Sequence, residues 1–114
     1  MAKNEASARV LWERFLTLTR ETEKFLDGDD IDMAMELIRQ GLETYKSIEA
    51  LPVDDFKPTP AGQELLAELN PVYKRTQLKA QSWLNRSRRQ NQAVKTYTTL
   101  GGLTPSGHIF NKKS

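Results

Sequence analysis

The chain has 114 residues, of which 28% are charged, 38% hydrophobic and none cysteine; this predicts one globular domain and excludes disulfides, thiol nucleophiles and cysteine zinc sites. The net charge of +2 conceals a split, because all 15 acidic residues lie at or before Glu68 and nine of the 17 basic residues follow it. No apolar run is long enough to span a bilayer and residues 1–9 lack a basic-then-apolar leader, so a cytoplasmic protein without a membrane span is expected.

Helix 1 is predicted over about 5–26, where Ala8, Leu11, Phe15, Leu18, Thr22 and Phe25 recur at steps of three and four, flanked by Trp12 and Leu26. Gly28 is expected to take the left-handed conformation that ends many helices, with Asp29 or Asp30 capping the next one. So short a connection makes helices 1 and 2 antiparallel neighbours. Helix 2 carries Ile31, Ala34, Ile38, Gly41, Tyr45 and Ile48 on one seam and stops at Leu51, before Pro52. Residues 52–60 hold three prolines and the Asp54–Asp55 pair and read as an extended loop.

Thr59 as cap and Pro60 at the first helical position start helix 3. Its seam is Leu66, Leu69, Tyr73, Thr76, Ala80 and Trp83, and it is predicted to run to about residue 92. Pro71 lies inside this pattern, so the helix either kinks or restarts with Asn70 as a new cap. The fold class is therefore all-α: an antiparallel three-helix bundle over residues 1–92, with a long third helix and an irregular, flexible tail over 93–114. At about 1.5 Å per residue the third helix outruns its partners and brings Arg86, Arg88 and Arg89 towards the acidic turn at 27–32.

Chemical sites are absent from this reading. Asp27, Asp29, Asp30 and Asp32 have carboxylates of the kind a calcium loop uses, but Asp32 stands where that loop needs glycine and Ile38 where it needs a bidentate Glu. His108 is the sole histidine and no acid follows Glu68 to orient it. The glycines at 101, 102 and 107 open no helix and precede no Lys-Ser or Lys-Thr pair. Asp54 and Asp55 are neighbours in a proline-rich loop and read as solvated. The expectation is a protein without enzymatic activity, metal or cofactor.

What remains is partner binding. The basic run Arg86, Arg88 and Arg89, with Lys74, Arg75 and Lys79 upstream, can follow a phosphate backbone, but no nucleic-acid-binding signature accompanies it. Tyr73 and Trp83 are explained by bundle packing alone. Tyr97, Ile109 and Phe110 lie where no predicted helix needs them and suggest docking on the chain's own groove or on a partner. The candidate partner-binding set is Leu66, Leu69, Tyr73 and Trp83 on the helix 3 seam, Arg86, Arg88 and Arg89 beyond it, and Tyr97, Ile109 and Phe110 in the tail.

The tail also carries a family likeness. Val94-Lys95-Thr96-Tyr97, a glycine-rich spacer, and Gly107-His108-Ile109-Phe110-Asn111-Lys112-Lys113 resemble the C-terminal end of FliT-type flagellar export chaperones, with Asn111 where those relatives usually have Asp. Two helices of similar length, a proline-containing loop and a longer basic third helix match the same family's layout. The resemblance implies a cytoplasmic chaperone that binds the C-terminal helical region of the filament-cap protein, prevents its premature assembly and delivers it to the flagellar type III export apparatus. The alternatives from the residues themselves are a small basic nucleic-acid-binding or regulatory protein, and a secretion-system adaptor or structural bundle. A three-helix bundle leaves a groove that an amphipathic client helix can fill, and the tail is expected either to gate that groove or to contact the partner.

Overall fold

Helix α1 spans Ala8–Asp27 and opens on Ser7, whose hydroxyl accepts from the Val10 N–H in place of a missing helical carbonyl. Its first residue is Ala8, directly after the Ser7 cap, where the periodicity predicts a start at about residue 5. Its buried stripe is Ala8, Leu11, Trp12, Phe15, Leu16, Thr19 and Thr22. The two threonines enter the core because each hydroxyl donates back to a carbonyl of its own helix, Thr19 to Phe15 at 2.8 Å and Thr22 to Leu18 at 2.7 Å. The computed structural model describes residues 7–87 and 91–99.

The turn into α2 corrects one expectation. Gly28 has an ordinary φ of −90°, and Asp29 takes the left-handed conformation at φ 59°. Asp tolerates that region because its short side chain can bond locally. Asp30 then caps α2, Ile31–Glu49, by accepting from the Met33 N–H. Helix α2 buries Ala34, Ile38, Gly41, Thr44, Tyr45 and Ile48 against α1.

The loop after α2 is tied down at Asp54. One of its carboxylate oxygens accepts from the Trp12 indole N–H at 2.7 Å, and the other from the N–H groups of Phe56 and Lys57 at 3.2 and 2.9 Å. Phe56 is thereby turned into the core, with the Arg9 guanidinium 5.6 Å above its ring. Thr59 caps α3 through the Gly62 N–H.

Helix α3 is one helix, Pro60–Ser87, with Pro71 inside it and no second start at Asn70. It runs parallel to α1, since Arg20 pairs with Glu68, Glu23 with Arg75, and Asp27 with Lys79 in advancing register. Both α2 and α3 pack on α1.

The tail differs from the expectation of irregular chain. After Asn91 a fourth helix, α4, spans Gln92–Thr99, so the bundle extends past residue 92. Asn91 caps it, its side-chain oxygen accepting from the Val94 N–H at 3.0 Å while its amide donates to the Met35 sulfur at 3.2 Å. Helix α4 packs on both α2 and α3, whereas among the described residues α2 and α3 do not meet each other. The four helices of the described residues therefore form a ring in the order α1, α2, α4, α3. One aromatic side chain from each meets near the centre: Phe15 lies 5.7 Å from both Tyr45 and Tyr73, and Tyr73 lies 5.0 Å from Tyr97. Rings of this size hold α2 and α3 apart and leave a seat that a backbone must fill; each buried aromatic contributes about 1.5–3 kcal/mol, and each ring pair about 0.5–1.5 kcal/mol more.

Candidate partner-binding surface

The groove predicted to be open is occupied by the chain itself. Within α4, Val94 and Tyr97 are each only 1% exposed. The Tyr97 carbonyl oxygen accepts from the Tyr73 hydroxyl and from the Gln77 side-chain amide, both at 3.0 Å. The helix enters beside Met35 near the start of α2 and reaches Tyr73 and Gln77, so it runs antiparallel to α3.

The seat is lined by buried tyrosines. Burial raises the Tyr73 and Tyr97 hydroxyls far above the ordinary tyrosine range, and burial followed by the Glu49 charge pushes Tyr45 to about 12. The Tyr97 ring crosses the bundle towards α1, where its hydroxyl lies beside Thr19 but outside hydrogen-bond geometry. It is buried without a partner among the described residues. Thr19 has already given its own proton to Phe15.

These positions revise the candidate set. Leu66, Leu69, Tyr73 and Tyr97 are core residues, none more than 3% exposed, because the seam that faces a groove in three helices faces the interior in four. A partner reaches Tyr73 only where α4 has left. Trp83 is half-buried and Arg86 exposed at the far end of α3. Arg88, Arg89, Ile109 and Phe110 lie outside the described residues. Asn91 and Val94, the cap and one buried anchor of α4, are positions that periodicity missed. A capping Asn followed by Val94 and Tyr97 three residues apart was the available signal, and eight residues are too few to stand out as a repeat.

The acidic turn is engaged earlier on α3 than the predicted overhang suggests. Lys79 reaches Asp27 at 2.7 Å and Glu23 at 2.8 Å, and Arg75 forks onto both Glu23 oxygens at 2.8 and 3.0 Å. The hydrogen bond from Arg75 outweighs the opposing effect of burial, and with Lys79 it holds the Glu23 carboxyl at about 2. Beyond these pairs a shallow depression of about 260 Å³ is lined by Leu26, Asp27, Leu78, Lys79, Ser82, Trp83 and Arg86.

Among the described residues no helix is long and apolar enough to cross a membrane, and no three His, Asp or Glu side chains converge as a metal site. Compared with known proteins, the chain matches no protein-family model, no curated protein and no solved structure.

Proposed function

We propose that this protein is a FliT-type flagellar export chaperone, cytoplasmic and without catalytic chemistry, whose client is the C-terminal helical region of the filament-cap protein. The observation that carries the reading is the seat of α4. A short helix with two buried side chains, Val94 and Tyr97, fills a groove whose other walls are α2 and α3. That is the place and the chemistry of an amphipathic client helix. The segment that fills it belongs to the part of the sequence that resembles the family.

An eight-residue helix is not stable alone, so α4 stays only through its contacts. Two buried anchors and a carbonyl with two donors suit a cover that a longer client helix displaces. The seated fraction then lowers apparent client affinity, by roughly ten- to a hundredfold for a bias of a few kcal/mol. The nucleic-acid reading is weaker because Arg75 and Lys79, two of the cations it needs, are already paired with Glu23 and Asp27.

Calorimetric titration of a filament-cap C-terminal peptide into the full chain and into Val94→Asp tests the reading. Tighter binding by the variant, with helicity retained, supports a covered groove. Weaker binding places α4 itself in the client contact, and no binding by either chain rejects the client.

A further inference from the structure

A second surface lies on the α1 side of α3, away from the face whose Tyr73 and Gln77 hold α4. We propose that this surface, centred on Leu78, docks an acidic amphipathic segment of a partner protein. The inference stands on different residues from the client groove and holds whether or not that reading does.

Leu78 is 67% exposed although it sits in the middle of a packed helix. With Leu26 and the half-buried Trp83 it forms the apolar floor of the depression at the end of α1, and Asp27, already bonded to Lys79, makes its rim with Lys79, Ser82 and Arg86. Lys74, Leu78, Ser82 and Arg86 follow one another at four-residue steps along one inclined ridge of α3. Within reach of this ridge the acids Glu23 and Asp27 are already bonded to Arg75 and Lys79. No carboxylate pairs with Lys74 or Arg86 among the described residues, and the sequence has no acid after Glu68.

An apolar centre between two uncompensated cations, about 18 Å apart at 1.5 Å per residue, selects a ligand of matching layout. That ligand carries a large aliphatic or aromatic side chain with a Glu or Asp about one turn to one side and another about two turns to the other, on one face of a helix. Phosphate recognition would use Lys74 and Arg86 but leaves Leu78 and Trp83 without a role, so a protein helix fits better than nucleic acid. An isologous contact with a second copy would set like charges against each other.

The probe is a dye-labelled synthetic peptide of Glu and Leu at helical spacing, titrated into the full chain by fluorescence anisotropy. Controls are the same peptide with Lys for Glu, the same peptide with Ala for Leu, and a labelled DNA duplex. Leu78→Ala and Arg86→Glu are each expected to weaken Glu–Leu binding about tenfold or more, the scale of a central interface anchor. Lys46→Glu makes the same charge change at an exposed position of α2 and is expected to leave binding unaltered. Both α3 substitutions fall on exposed side chains, and circular dichroism verifies that the helices remain. The proposal is overturned by absent Glu–Leu binding, by equal binding to Leu78→Ala, or by equal binding of the Lys–Leu peptide. Duplex DNA binding in place of the peptide assigns the face to nucleic acid, and self-association abolished by Arg86→Glu assigns it to a second copy; either result also overturns it.

Discussion

The Tyr73 hydroxyl donates a 3.0 Å hydrogen bond to the Tyr97 carbonyl oxygen, and the two rings meet edge to face with centroids 5.0 Å apart. This pair joins the 28-residue α3 to the eight-residue α4 and makes α4 a member of the bundle.

The two ends of Tyr97 predict opposite effects. Its hydroxyl is buried without a partner among the described residues, so Tyr97→Phe removes a desolvated polar group and should leave stability unchanged or raise it by up to about 1 kcal/mol. Tyr97→Ala removes the ring and should cost about 3–5 kcal/mol. Tyr73→Phe should cost only about 0.5–1.5 kcal/mol, because Gln77 still donates to the same carbonyl. Urea unfolding of the three variants gives the order. A marked loss in Tyr97→Phe would mean that the hydroxyl bonds to Thr19 in solution.

Glu23 gives the fold an acid-side pH dependence. Its folded-state value of about 2 lies below the ordinary 4.5 because Arg75 and Lys79 bond to the carboxylate. A depressed carboxyl contributes stability that is fully present above about pH 5 and is lost as pH falls from about 4.5 towards 2. Both cations are more than one third exposed, so solvent screening limits the contribution to roughly 1 kcal/mol. Glu23→Gln should lose that amount at pH 7 and unfold with a shallower slope between pH 4.5 and 2. Glu36, also held at about 2 by Arg39 and Gln40, titrates in the same window in both proteins, so the difference between them isolates Glu23.

Two buried helical glycines should respond to alanine with opposite signs. A Cβ on Gly62 would collide with the Phe56 carbonyl oxygen and lie 2.9 Å from that of Lys57, pushing the loop off the start of α3. Gly62→Ala should cost about 1–3 kcal/mol and loosen the Phe56 contact. A Cβ on Gly41 would meet only the edge of Phe15 at 3.7 Å, an ordinary contact. Gly41→Ala should stabilise by up to about 1 kcal/mol through helix propensity. Thermal melts of the two variants against the parent chain decide the signs.

Pro71 is exposed inside a continuous α3, where it has no N–H to offer the Ala67 carbonyl. Pro71→Ala should add roughly 1–3 kcal/mol from helix propensity, less up to about 1 kcal/mol of regained freedom in the unfolded chain. Loss of stability, measured by urea unfolding, would show that the proline sets a helix geometry needed to bring Tyr73 under Tyr97.

Much of this arrangement was legible from local chemistry. The steps of three and four in helices 1 to 3 placed Phe15, Ile38, Tyr45, Leu69 and Tyr73 on the seams that are buried, because amphipathic periodicity records a helix's own inward face. The capping roles of Asp30 and Thr59 were legible for the same reason, since a cap bonds within three residues of itself. Tertiary structure alone decided which face of the bundle stays open. Whether the α2–α3 seam is a groove or a core depends on the eight residues of α4. Their propensity is too weak to declare a helix, and their stability comes from Tyr73, Gln77 and Met35, 20 or more residues away. The pairing of Glu23 and Asp27 with Arg75 and Lys79 was likewise set by the parallel register of α1 and α3. A count of charges along the chain carries the asymmetry but not the distances that cancel it.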